Sequence, residues 1–182
     1  MEVPNLSYLT NLKELCLNDD EQPEGGSSSQ TPNVEWITRL PSLETLQLSV
    51  SKVTNLPGNF SALTQLRELS LSYMKELDLT QLPSSSLLTL RLKYCKIPEP
   101  TFSSLQHHLS ELELEYCELA EIDGLKDLNR LVVLTLSHCK GVTNLNGLKD
   151  LRRLRKVKGI FEDRPSLPKL SKRVKQDIYP EA

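Results

Sequence analysis

Leucine recurs in this chain on a fixed pattern, Leu-x-x-Leu-x-Leu, at Leu12/Leu15/Leu17, Leu43/Leu46/Leu48, Leu66/Leu69/Leu71, Leu87/Leu90/Leu92, Leu109/Leu112/Leu114 and Leu131/Leu134/Leu136. A weakened seventh copy follows at Leu154, Val157 and Gly159. Between first leucines the steps are 31, 23, 21, 22, 22 and 23 residues, so one unit is repeated and the first step carries an insertion. Within each unit the Leu-x-Leu core alternates as a strand does, one side chain inward and the next outward. No unit is stable alone. Burying a leucine contributes about 1.5–3 kcal/mol, whereas ordering the backbone costs about 1–2 kcal/mol for every residue of the coil. The units must therefore stack, each adding one strand to a parallel sheet about 4.8 Å from the last.

Further leucines at Leu9, Leu40, Leu63, Leu128 and Leu151 stand three residues ahead of the strand motif, and Gly124-Leu125-Lys126-Asp127-Leu128 returns 23 residues later as Gly147-Leu148-Lys149-Asp150-Leu151. This spacing is that of leucine-rich repeats, whose period is about 20–29 residues. The predicted fold is an α/β-type solenoid: a leucine-rich-repeat arc with a parallel β-sheet on the concave face and irregular or short helical turns on the convex face. Aromatic residues are only 5% of the chain, so the layers must be filled by aliphatic side chains. Residues 1–160 are assigned to about seven repeats and 161–182 to a basic C-terminal cap or tail. Leu6, Leu9 and Leu12 enter the pattern without a polar cap, so upstream repeats or a covering partner are expected at that edge.

Charge is segregated along the repeat axis. The stretch 18–35 carries Asp19, Asp20, Glu21, Glu24 and Glu35 among Gly, Ser and Pro; it is read as a flexible acidic insertion, either a contact loop at the rim or a tolerated surface excursion. Between residues 151 and 175, Arg152, Arg153, Arg155, Lys156, Lys158, Arg164, Lys169, Lys172, Arg173 and Lys175 stand against Glu162 and Asp163. Such a basic end suits an acidic partner, an anionic membrane or another domain of the same protein, and equally a solvated cap whose prolines, Pro165, Pro168 and Pro180, close the stack irregularly. A formal net charge of −2 argues against specific nucleic-acid binding as the main activity. No transmembrane segment is found, since no apolar run reaches about 18 residues, and Met1-Glu2-Val3-Pro4-Asn5 is unlike a secretory signal. A cytoplasmic location is expected.

Catalysis finds no home in the pattern. His107, His108 and His138 stand in no triad context, and Gly-x-Ser-x-Gly is absent. Glu111, Glu113 and Glu115 fall on one strand face as an acidic stripe. Cys95, Cys117 and Cys139 occupy one repeat position 22 residues apart and are read as a column of buried structural thiols, each offering a weak hydrogen bond to loop backbone. Strand spacing would also permit a disulfide, whereas the close Cys pairs typical of zinc are missing. Cys16 falls between Leu15 and Leu17 and should face the concave surface, as a reactive thiol or an incidental one. Neither cofactor nor metal is implied, and the chain is not read as an enzyme.

Binding is better served. Two residues beyond the last strand leucine runs the column Asp19, Val50, Tyr73, Tyr94, Tyr116, His138. Its four consecutive rings are expected to stack on the concave side, as a docking strip, a sheet-stabilising ladder, or both. Beside them Arg67, Arg91, Lys93, Glu113 and Glu115 complete the candidate partner-binding set, with Arg91 adjoining Glu113 and Lys93 adjoining Glu115.

The register Leu-x-x-Leu-x-Leu-x-x-Cys, in Leu87 to Cys95, Leu109 to Cys117 and Leu131 to Cys139, resembles intracellular plant-type repeats. With the stretch Leu134-Thr135-Leu136-Ser137-His138-Cys139-Lys140-Gly141-Val142-Thr143-Asn144-Leu145, it looks most like the C-terminal repeat region of plant nucleotide-binding leucine-rich-repeat immune (disease resistance) receptors. The likeness covers about residues 3–160. It implies ligand recognition or autoinhibition, with a protein partner or other domains of the same receptor as the bound species. The Gly-x-Ile-Pro signature of the extracellular plant type is missing, as is any phosphate-cradling Gly-rich loop with Lys-Ser/Thr. The alternative is a stand-alone regulatory or scaffolding repeat protein that docks on an enzyme. Oligomeric state is not legible.

Overall fold

In the computed structural model, residues 4–19, 32–98, 101–119, 123–161 and 165–180 are described, so most of the acidic stretch read across 18–35 lies outside the described residues. Among the described residues ten strands follow one another: β1 (Glu14–Asn18), β2 (Thr45–Ser49), β3 (Glu68–Ser72), β4 (Thr89–Lys93), β5 (Lys96–Ile97), β6 (Glu111–Glu115), β7 (Glu118–Leu119), β8 (Val133–Ser137), β9 (Lys156–Phe161) and β10 (Lys175–Pro180). Among the described residues eight of them form one sheet in the order β1-β2-β3-β4-β6-β8-β9-β10, while β5 pairs with β7 in a second, two-stranded sheet. Every pairing is parallel and in register with the leucine motif: Leu46 faces Leu69, Leu90 faces Leu112, Leu112 faces Leu134 and Leu134 faces Val157.

The alternation within each strand sets the two faces. Leu46, Leu48, Leu69, Leu71, Leu90, Leu92, Leu112, Leu114, Leu134 and Leu136 are all buried in one continuous core, whereas the residues between them look outward from the sheet. The return path crosses the opposite side in short 3-10 turns, Glu35–Arg39, Phe60–Ala62, Leu79–Gln81, Phe102–Leu105, Asp123–Asp127 and Asn146–Asp150. Each turn tucks an apolar residue beneath the sheet: Ile37, Phe60, Leu79, Phe102, Leu125 and Leu148. A 3-10 turn fits because a coil this short has room for only a few residues of helix between strand exit and strand entry. The recurrent upstream leucine closes it, as in Leu63 N–H to the Phe60 carbonyl at 3.2 Å and Leu128 N–H to the Leu125 carbonyl at 3.0 Å. The solenoid is thus a parallel sheet on the concave side backed by helical turns on the convex side.

The weakened seventh copy has a physical explanation. Gly159 stands where its neighbours carry leucine because the buried Phe161 ring already fills that place, so a Cβ there would run into the ring and come within 2.8 Å of the Leu136 carbonyl oxygen. Beyond it, the segment read as an irregular basic tail supplies an eighth strand to the sheet. Pro165 and Pro168 confine the irregularity to the connection, after which β10 lies parallel to β9 with Gln176 opposite Val157 and Ile178 opposite Gly159. Leu167, Leu170, Val174 and Ile178 pack against the core. Gln176 is exposed at a column that is otherwise aliphatic, which makes this edge polar. At the other edge Leu15 is buried, while Leu9 is 37% exposed. Among the described residues no helix is long and apolar enough to cross a membrane.

Candidate partner-binding surface

By parity, Tyr73, Tyr94, Tyr116 and His138 should point inward, because each stands two residues beyond an inward leucine. They do not. Each adopts the left-handed region, with φ of 66°, 53°, 52° and 53°, which turns the side chain out where the strand ends. Their N–H groups still extend the sheet by one rung, Tyr94 to the Glu115 carbonyl at 3.0 Å and Tyr116 to the Ser137 carbonyl at 2.9 Å. Of the six-residue column read from the sequence, Val50 instead stays in the core; a β-branched residue is a poor occupant of the left-handed region. Asp19 uses its carboxylate to accept hydrogen bonds from the Ser51 N–H at 2.9 Å and hydroxyl at 2.8 Å. The strip is therefore four rings long.

Those rings stack in sequence, with centroids 5.4 Å apart for Tyr73–Tyr94, 5.0 Å for Tyr94–Tyr116 and 4.5 Å for Tyr116–His138, all within 16° of parallel. Because ring faces meet ring faces, what remains open to a partner is edges and phenol hydroxyls. Tyr94 and Tyr116 keep 44% and 42% of their surface exposed. Lys93 leans over both rings, its ammonium 5.4 Å and 5.8 Å from their centroids, and is held there by Glu115 at 3.1 Å. The Glu115 hydrogen bond raises the Lys93 pKa above its usual value, a shift opposed by partial burial.

Next to the ladder, Arg91 lies opposite Glu113 in register and reaches three carboxylates: Glu68 at 3.5 Å, Glu113 at 3.5 Å and Glu111 at 4.0 Å. All four side chains are about half exposed, so such pairs add little stability and chiefly fix the charge pattern of this surface. Arg67 belongs elsewhere. It sits ahead of β3, at the opposite end of the strand from Tyr73, where its charge acts on Glu44.

Two solved structures share this architecture. An internalin (inlF) from Listeria monocytogenes matches with a TM-score of 0.60 and 19% identity over 98% of this chain and 53% of its own. Internalin C2 (inlC2) from the same organism matches with a TM-score of 0.58 and 21% identity, over 84% of this chain and 73% of its own. The fold is a leucine-rich-repeat solenoid. At such identities the likeness is one of fold, and the chain spans about half the length of the first of these structures. No family model and no curated protein matches the sequence.

Within the leucine-rich-repeat frame, Cys95, Cys117 and Cys139 line up just past the rings and are all free thiols. Each sits against the carbonyl of a preceding coil: Cys95 Sγ to Leu71 at 3.6 Å, Cys117 to Leu92 at 3.4 Å and Cys139 to Leu114 at 3.3 Å. The thiols also neighbour one another. Although Cys139 donates toward Cys117, the Cys117 hydrogen bond to Cys95 together with burial pushes the Cys117 thiol up to about 12. Cys139 is pushed up too, by its hydrogen bond to Cys117 and by burial. A raised native pKa stabilises the fold fully below the unfolded thiol value and is lost as pH climbs toward the native one, so Cys117 and Cys139 add to alkaline lability, whereas Cys95, lowered by its hydrogen bond with Cys117, acts in the opposite sense. Cys16 is exposed on β1, accepting a contact from Asn18 Nδ2 at 3.2 Å. The native protein at pH 8 is therefore expected to take up one equivalent of maleimide within minutes, at Cys16, and four after denaturation. Rapid labelling of two or more thiols in the native protein would show the column to be open.

Sequence reasoning missed a second feature of the concave face. Residues of β8, β9 and β10 enclose a shallow depression of 370 Å³ lined by Thr135, Ser137, Lys158, Gly159, Ile160, Lys175, Asp177 and Tyr179. The signal was present in the alternation of Lys175, Asp177 and Tyr179 with Gln176 and Ile178. Among the described residues no cluster of His, Cys, Asp or Glu is gathered closely enough to hold a metal ion.

Proposed function

We propose that the chain is a protein-interaction module whose concave face docks a protein partner or another domain of the same polypeptide, centred on Tyr73, Tyr94, Tyr116 and His138. One observation carries the reading: four bulky residues at consecutive repeats occupy left-handed backbone to bring their rings to the surface. Each such conformation costs on the order of 1 kcal/mol, and each of the three stacked contacts gives back about 0.5–1.5 kcal/mol. As a stabilising device the ladder roughly breaks even, so its exposed edges and hydroxyls are better explained by what they bind. Tyrosine suits that role, with large rigid contact area and a polar tip.

The finer reading is ligand recognition or autoinhibition in a plant-type intracellular immune receptor. Its support is the Leu-x-x-Leu-x-Leu-x-x-Cys register, together with a glutamate-rich centre, Glu68, Glu111, Glu113 and Glu115, that disfavours nucleic acid. The test uses the isolated chain as bait in native tissue, comparing wild type with Tyr73→Ala/Tyr94→Ala/Tyr116→Ala and with the corresponding triple phenylalanine variant. Capture of the partner is expected to fall at least about tenfold for the alanine variant, with folding checked by circular dichroism, and less for phenylalanine, which keeps the stack. Unchanged capture by a folded alanine variant removes the strip from consideration.

A further inference from the structure

We infer that the depression between β8, β9 and β10 is a docking site for an acidic side chain of an extended protein segment lying on the concave face. It deepens the docking role proposed above by naming the partner's chemistry at one end. Charge complementarity is the first argument. Lys158 and Lys175 line the depression beside one carboxylate, Asp177, whose Oδ2 is 3.3 Å from Lys175 and 4.0 Å from Lys156 at its margin. Asp177 is opposite Lys158 in register, yet its carboxylate turns to the two other lysines. Among the described residues the depression thus carries more ammonium than carboxylate charge.

Its lining adds the features of a specific seat rather than a bare basic surface. The hydroxyls of Thr135, Ser137 and Tyr179 offer donors beside the lysines, and Ile160 and the 60% exposed ring of Tyr179 give an apolar wall for the stem of a glutamate. Ile160 also joins the depression to the ring strip, because its carbonyl accepts the His138 N–H at 2.8 Å. A segment running along the sheet from β4 toward β10 would pass the Glu111, Glu113 and Glu115 stripe on β6 first, then the lysines. Nucleic acid, uniformly anionic along its length, is repelled by that stripe, and a flat bilayer does not follow a concave sheet. A short peptide with its acidic residues at one end satisfies both.

The experiment measures fluorescence anisotropy of a labelled peptide of about ten residues whose last three are Glu-Ser-Glu, against the full chain. The same peptide with Gln for Glu, a short oligothymidylate and vesicles containing phosphatidylserine are the competing probes. The acidic peptide is expected to bind best, to weaken as salt rises, and to lose about tenfold in affinity with Lys158→Gln/Lys175→Gln. Asp177→Asn, which removes the competing carboxylate, is expected to tighten binding about twofold or more. Arg152→Gln/Arg153→Gln removes as much charge outside the depression and is expected to change affinity less than about twofold. The inference is overturned by an absence of peptide binding, by equal affinity for the Gln peptide, by preference for oligothymidylate or vesicles, or by equal losses in the arginine control. Because the probe is synthetic, such a failure leaves the tyrosine result standing on its own.

Discussion

Phe102→Ala is expected to lower the unfolding free energy by about 3–5 kcal/mol, the range for deleting a fully buried ring without repacking. Phe102 is 0% exposed, in the 3-10 turn Phe102–Leu105 that links β4 to β6. In a stacked solenoid each coil is held only by its neighbours, so a void in a middle coil weakens two interfaces at once and uncouples the ends. For a chain of this size the midpoint should drop by about 6–20 °C. Phe102→Leu is the informative control. The turns on either side carry Leu79 and Leu125 in the same role, both buried, so leucine is compatible with the architecture and the loss should be under about 2 kcal/mol. Urea titration followed by circular dichroism measures both; an alanine variant within about 1 kcal/mol of wild type would mean that the convex turns do not support the sheet. The structural consequence is local, because Tyr94, Arg91, Tyr116 and Glu113 flank this coil, and the centre of the proposed docking face would loosen first.

The physical reasons for what the sequence showed and hid differ by element. The leucine columns were legible because a period-2 strand inside a repeat of about 22 residues admits only one stacking solution, and the observed register pairs leucine with leucine across β2, β3, β4, β6 and β8. The Cys column was legible for the same reason. β10 was hidden because its inward positions hold Gln176 and Ile178 instead of two leucines, and because the step from β9 to β10 is shorter than the repeat. With β10 went the depression, since Lys175, Asp177 and Tyr179 acquire a common face only when that strand is recognised. The rings were found at the right position for an incomplete reason. Alternation alone places them inward; the left-handed backbone that brings them out is a conformational fact no side-chain pattern states, although a run of Tyr, Tyr, Tyr and His, too large and polar for an aliphatic layer, hints at it. Val50 marks the limit of that hint, as the same column position holds a residue that stays in the core.

Gly141→Ala tests the backbone arrangement just behind the rings. Gly141 has φ of 87°, where an L side chain costs on the order of 1 kcal/mol or more. His138, three residues earlier, bears such a conformation with φ of 53°, so dihedral strain alone is tolerable in this coil. Space is what Gly141 lacks: a Cβ would run into the Leu119 carbonyl oxygen and lie 3.1 Å from its carbonyl carbon. The obstacle is backbone of β7, tied in place by the Leu119 N–H to the Lys140 carbonyl at 3.1 Å and by the Lys140 N–H to the Cys117 carbonyl at 2.9 Å, so no rotamer relieves it. Two coils must part, and the combined cost of strain and overpacking is expected to be about 2–5 kcal/mol. Gly58→Ala is the matched control, with nothing within 4 Å of its Cβ, and should shift stability by less than about 1 kcal/mol. Because His138 and Cys139 lie two to three residues before Gly141 in the same coil, parting the coils should also disturb the Tyr116–His138 stack, visible as a change in tyrosine near-ultraviolet circular dichroism before global unfolding. A Gly141→Ala protein as stable as the Gly58→Ala one would show that the β7 coil yields easily, and the ring strip would then have no rigid support behind it.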